Sequence, residues 1–240
     1  MLAQISRMSA AIGPLDTALL VLSRMLARLT FGRLKLLKYY ITAQPVPAGA
    51  LTPLRRGQSI VVTEGTPEQA RSTPFGRPQA AIEHRLANGA RHVVARKDGR
   101  LIGFQWFTLR DYPEDEVRCV FRLHPGDGCA WDFDIFVTPE ARTMPVFTRL
   151  WDTVNAIFRS AGIEFTMSRI NAFNQASMQA HARIGAKPVG WAVFLIAGPV
   201  QLSLFSACPW IHASFSDACA PTLAVADLVR QRKTSTRFSE

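Results

Sequence analysis

The stretch that most constrains the fold is residues 131–162, WDFDIFVTPEARTMPVFTRLWDTVNAIFRSAG. It reads as a buried strand, a tight turn at residues 138–142, and a long amphipathic helix with Phe147, Leu150, Trp151, Val154, Ile157 and Phe158 on its apolar face. Pro145 stands at the first turn of that helix and Gly162 at its C-cap. Residues 163–170 return as a strand, and a helical crossover between neighbouring strands makes them parallel. The first N–H groups of a helix lack internal partners and its dipole favours anions, so strand, basic turn and helix start form a place for a phosphorylated ligand.

With 240 residues and 48% hydrophobic composition the chain can bury a substantial core, and 19% charged residues argue against disorder throughout. A formal charge of +10 suggests an anionic partner: nucleic acid, a membrane surface or a phosphorylated ligand. The charge is uneven. Residues 1–60 carry Arg7, Arg24, Arg28, Arg33, Lys35, Lys38, Arg55 and Arg56 against a single acid, Asp16. Cys119, Cys129, Cys208 and Cys219 form no C-x-x-C pair and have no histidine at ligand spacing, so no metal site is expected and buried or free thiols in a reducing compartment are.

Taken in order, Leu15, Leu19, Leu22, Leu26 and Leu29 recur at helical spacing after Pro14. Arg24 and Arg28 make this run too charged to cross a bilayer, and no cleavage site for a secretory signal follows. Residues 33–40 mix basic and apolar letters. Residues 14–40 therefore read either as an interfacial helix on an anionic membrane or as a helix packed on the domain. Residues 44–56 are Pro-rich and read as a linker. A strand at 59–64 and a helix at 78–90 follow. The runs 92–95 and 101–107 then flank Asp98-Gly99, a hairpin signal, and an acidic turn at 112–116 leads to a strand at 117–123. Beyond the crossover come a helix at 174–184 and strands at 190–197 and 201–205. Residues 221–233 are compatible with a helix and 234–240 with a frayed tail.

Three motifs carry a resemblance. Lys97-Asp98-Gly99-Arg100-Leu101-Ile102-Gly103 looks like the second hairpin of the GNAT acyltransferases. Phe136-Val137-Thr138-Pro139-Glu140-Ala141-Arg142 looks like the end of their fourth strand, and Asn174, Ser177, His181 and Gly185 match the pattern of their fourth helix. The resemblance implies an α/β (α+β) fold, a GNAT-like mixed, mostly antiparallel sheet flanked by helices, with an extra N-terminal amphipathic helical segment. It implies a division into residues 1–56 (basic helical region and linker), 57–206 (GNAT-like domain) and 207–240 (C-terminal extension). It further implies an N-acyltransferase that uses acetyl-CoA or another acyl-CoA, held by Phe136, Val137, Arg142, Thr143, Met144, Val146, Asn174 and Ser177. The family's phosphate loop is altered here, because Pro145 and Phe147 stand where small residues let the backbone approach a pyrophosphate.

Transfer to an amine needs a base for the ammonium, a donor to polarise the thioester and an acid for the thiolate. Asp132 and Asp134 alternate with Trp131, Phe133 and Ile135, which places both carboxylates on one side of the strand. Asp134, closer to the turn, is the better base and Asp132 the second candidate. The alternative is an ion pair for one of them with Arg169 or Arg118. The family's tyrosine acid is replaced by His181, whose imidazole is either the acid or a helix histidine satisfied by hydrogen bonds. A small-molecule or sugar amine is the expected acceptor, in the cytoplasm or peripherally at the inner face of the membrane. A homodimer is compatible with the sequence. A non-catalytic or acyl-carrier-dependent GNAT-like protein at the membrane surface is the alternative. No helix-turn-helix, zinc-finger or aromatic-basic strand pattern supports specific nucleic-acid binding.

Overall fold

The computed structural model describes residues 9–10, 12–53, 55–72, 76–124 and 126–230. It divides into two compact units, one built from residues 1–44, 116–122 and 169–240 and the other from residues 45–115 and 123–168.

In the unit of residues 45–115 and 123–168 the strands lie in the order β2 (Ile60–Glu64), β3 (Arg91–Lys97), β4 (Arg100–Thr108), β7 (Cys129–Val137) and the start of β8 (Phe165–Asn171). All neighbours are antiparallel except β7 and β8, whose parallel pairing follows from the crossover helix α4 (Val146–Ser160). The β3–β4 turn has Asp98 at φ 51° and Gly99 at φ 77°, the paired positive angles of a type I′ hairpin. One face of the sheet is covered by α2 (Pro67–Ser72) and α3 (Gln79–Ala87), where Ala70 and Ile82 pack with Val94, Phe104 and Trp106. The other is covered by α4, and Phe107 meets Phe158 edge-on at 5.2 Å between centroids. Trp106, Trp131 and Trp151 are fully buried. Full burial of a large apolar side chain is worth about 1.5–3 kcal/mol, which makes these rings the anchor of the unit.

The Pro-rich segment after residue 45 is fixed along α4. The Leu51 and Thr52 N–H groups donate to Asp152 at 2.6 and 3.3 Å, and the Thr52 hydroxyl meets that of Thr148 at 2.8 Å. Gly57, at φ 73°, runs so close to α4 that a Cβ there would stand 2.8 Å from Pro145 Cγ.

In the other unit the sheet order is the end of β8, then β1 (Leu34–Pro45), β9 (Lys187–Ala197), β10 (Val200–Phe205) and β11 (Ile211–Ser214). Helix α1 (Pro14–Leu29) packs on it, and α5 (Gln175–Arg183) precedes β9. A short parallel pair, β6 (Val120–Arg122) with β12 (Thr222–Ala224), stands apart; β5 (Tyr112–Pro113) is a two-residue strand of the first-described unit.

Residues 33–40 are not helical, contrary to expectation. They open β1, which pairs with β9 from Leu34↔Ala197 onward. The reason is tertiary: Lys38 is buried against Asp16 of α1 at 2.5 Å, and Tyr39, Tyr40, Ile41 and Thr42 suit a strand. Phe31 (φ 51°) and Gly32 (φ 78°) turn the chain from helix to strand. Of the C-terminal helix expected at 221–233, residues 222–224 are strand and 225–230 helical; the rest of it, and the tail at 234–240, lie outside the described residues.

Candidate active site

The β7–β8 ladder runs only from Cys129↔Phe165 to Asp132↔Ser168. Strand β7 continues to Val137, and from Phe133 onward its pairing among the described residues is with β4 alone. A 3₁₀ turn at Pro139–Ala141, residues 142–145 and the start of α4 follow directly. This brings together Phe136, Val137, Arg142, Thr143, Met144 and Val146. Arg142 is exposed at the turn. Pro145 caps α4 without a side-chain hydrogen bond and offers no N–H, so Val146 supplies the first N–H of the helix.

Asp132 sits at the last rung of this ladder. The expectation that Asp132 and Asp134 share a side is corrected by a β-bulge. Asp132 is level with Phe107 and Asp134 with its neighbour Trp106, so Phe133 is an extra residue in β7. Consecutive residues of β4 face opposite sides, and the two carboxylates therefore do too. Asp132 points to the face of α4, with Phe107; Asp134 points to the face of α3, with Trp106.

Their surroundings differ as much as their directions. Arg77 grips Asp134 with two hydrogen bonds of 2.8 and 2.7 Å, and Arg85 Nη1 adds a third of 2.7 Å. Arg85 also pairs with Asp115 at 2.8 Å and lies over the rings of Trp106 and Phe133. The partners are thus Arg77 and Arg85, not Arg169 or Arg118. Arg169 pairs with Glu116 at 3.1 Å and lies over Tyr39, and the Arg118 backbone meets Gln201. Arg85 left one signal in the sequence: it follows Ile82 by three residues, on the apolar stripe of α3, where an arginine requires a carboxylate. Arg77, just outside the helix, left none.

Asp132 is 2% exposed, and among the described residues its Oδ1 has no hydrogen-bond partner. Burial pushes its pKa up to about 8; the Ser168 hydroxyl works against this and the charge of Asp134 adds to it. His92 is driven the opposite way for the same reason. Stacked on Trp106 at 4.6 Å, its pKa is lowered to about 4 by burial.

In the other unit, the Asn174 side chain caps α5 by accepting from the Ser177 N–H at 3.1 Å. His181, one turn on, is buried; its Nδ1 lies 2.9 Å from the Ser177 carbonyl, an acceptor, so Nδ1 carries the proton and donates it there. Burial lowers the pKa of His181 despite that hydrogen bond, which keeps the imidazole neutral with its proton committed to the backbone. Among the described residues no group of His, Cys, Asp and Glu could hold a metal, and no helix is long and apolar enough to cross a membrane.

The family model described as acetyltransferase (GNAT) family matches residues 62–186. No curated protein matches the chain. Among solved structures, a functionally unknown conserved protein of Staphylococcus epidermidis aligns with 11% identity and a TM-score of 0.49, over 74% of this chain and 66% of its own. A putative GNAT acetyltransferase of Novosphingobium aromaticivorans aligns with 17% identity and a TM-score of 0.47, over 66% of this chain and 63% of its own. The aminoglycoside N-acetyltransferase AAC(6')-Iy in complex with CoA aligns with 22% identity and a TM-score of 0.41, over 55% of this chain and 91% of its own. The alignments thus span less than two thirds of the length of the first two of these structures.

Proposed function

Because the chain belongs to the GNAT acetyltransferase family, we propose that it moves an acyl group, acetyl first among them, from acyl-CoA to an amine of a small molecule or sugar. The observation that carries this reading is the end of the β7–β8 ladder at Asp132↔Ser168, followed at once by the stretch of β7 paired with β4 alone, the basic turn and the start of α4. An extended acyl-pantetheine can add to such a stretch as a further strand, through backbone hydrogen bonds to residues 133–137. Its phosphates then reach Arg142 and the first helical N–H groups. The family motif also suggests Asn174 and Ser177, at the start of α5, as donor contacts.

Direct attack by the amine requires a proton acceptor. Both oxygens of Asp134 already accept charge-assisted hydrogen bonds, so we assign it to holding Arg77 and Arg85. Asp132, with an unpartnered oxygen and a pKa near 8, is the better-matched base for an ammonium. His181 has no proton to spare for the thiolate at neutral pH, and its role is to order the first turn of α5. The test is thiol release with a panel of acyl-CoAs and amines. Asp132→Asn is expected to lower kcat about 100-fold with the fold retained; unchanged turnover removes the assignment.

One observation favours a second reading. Pro145 withholds an N–H, and Gly57 passes close against its ring, which leaves little room for a pyrophosphate at the start of α4. A non-catalytic or acyl-carrier-dependent protein fits such a site. Calorimetric titration separates the two: no heat and no thioester consumption with acyl-CoA of any chain length selects the second.

A further inference from the structure

The unit formed by residues 1–44, 116–122 and 169–240 encloses Tyr39, Ile41, Phe194 and Phe205 but also carries a row of large apolar side chains on its outside. Helix α1 packs against β1 with its polar side: Asp16 holds Lys38 and the Tyr40 hydroxyl, and the Ser23 hydroxyl donates to the Leu36 carbonyl. The opposite side carries Leu15, Ala18, Leu22, Met25 and Leu29, spaced three and four residues apart in a single stripe. Leu15 is 67% exposed, Met25 53% and Leu29 74%, and Phe31 beyond the helix is 95% exposed.

The sheet repeats this inversion on the face that bears α1. Leu36, Leu195, Leu202 and Ala213 lie in one cross-strand row, and Lys38, Val193, Leu204 and Ile211 in the next. Leu36 and Lys38 are covered by α1, whereas Leu195, Leu202 and Ile211 further along the same rows are exposed. The alternate residues of β10, Gln201 and Ser203, are polar and buried, bonded to each other at 2.9 Å. Helix stripe and sheet face therefore form one outward apolar surface, larger than the scattered hydrophobes of a monomer.

Charge selects its occupant. Arg24, Arg28 and Arg33 are exposed beside the stripe, and the acid of this segment, Asp16, is buried and spent on Lys38. A second copy would set these cations against their own duplicates, whereas anionic headgroups complement them. We propose that this surface docks on an anionic phospholipid bilayer, with the stripe and the β9–β11 face in the acyl boundary and the arginines among the headgroups.

The experiment is co-sedimentation of the full chain with vesicles of phosphatidylcholine alone or mixed with phosphatidylglycerol, at low and high salt. Binding is expected with the mixed vesicles and weakened by salt. Leu22→Glu with Leu29→Glu, and separately Leu202→Glu, should each cut the bound fraction at least about tenfold without shifting thermal unfolding. Arg24→Glu with Arg28→Glu should abolish the preference for phosphatidylglycerol. Absence of vesicle binding overturns the proposal, as does binding indifferent to these substitutions. A dimer seen by light scattering that Leu22→Glu with Leu29→Glu dissolves, without vesicle binding, assigns the surface to a second copy and overturns it as well.

Discussion

In the sheet of β2, β3, β4 and β7, helices lie on both faces, and the buried pair of Arg85 and Asp134 sits among aromatic rings. In the sheet of β1, β9, β10 and β11, polar Gln201 and Ser203 are inside while Leu195, Leu202 and Ile211 face out. The contrast separates two uses of hydrophobic patterning. Covered on both faces, a sheet can enclose ionisable groups in a low-dielectric interior and shift their proton affinity toward the neutral form, which is what Asp132 and His92 display. Left open on one face, it has apolar area to offer a partner.

The contrast can be broken by substitution, and Arg85→Met is the severest test. Arg85 is 5% exposed and bridges Asp115 and Asp134, so its loss strands buried carboxylates and should cost about 3–5 kcal/mol in urea unfolding. A cost below about 1 kcal/mol means that water reaches this network and the interior is not sealed.

Asp132→Asn comes next, with the loss of turnover given above and an opposite effect on stability. The folded-state pKa of Asp132 lies near 8, above its ordinary 3.8. Its contribution is therefore fully present below about 4 and lost as pH rises toward 8. The variant escapes that loss, so its gain in Tm over the parent should grow from pH 4 to pH 8 and then level off. His92 gives the mirror image: lowered from 6.5 to about 4, it costs stability as pH falls through that window. A flat difference in Tm for Asp132→Asn across the window contradicts burial of the carboxyl.

Gly65→Ala should be milder, at about 1–3 kcal/mol in thermal unfolding. A Cβ there would fall 2.1 Å from His92 Nε2, and the imidazole is held against Trp106. Smallest of all, Leu202→Ser on the open face should change stability by no more than about 0.5 kcal/mol in the same measurement. A larger loss means that the face is covered within the chain itself.

Much of the covered sheet was legible in the letters, because local rules decide it. Asp98-Gly99 dictates a tight hairpin, and the helical period after Pro145 between two apolar strands dictates a parallel crossover. Strand β1 was not legible. The cation of Lys38 is balanced by an acid 22 residues away, a distance over which periodicity carries no information. The arrangement at Asp132 and Asp134 was hidden for another reason. A bulge at Phe133 needs no glycine or proline to mark it, so alternation written in the sequence is not the alternation of the folded strand. Arg77 was invisible because its role exists only once β7 has turned Asp134 toward it.

That bulge gives β7 a change of parity. Before Phe133, even-numbered residues look toward α4; after it, they look toward α3. Removing the single residue Phe133 would reverse Asp134 and Phe136 together, turning a carboxylate away from both of its arginines and a ring away from Phe104. One uncoded half-step thus lets a single strand serve two different chemistries, a charge held fast on one side and a proton-binding oxygen kept unpartnered on the other.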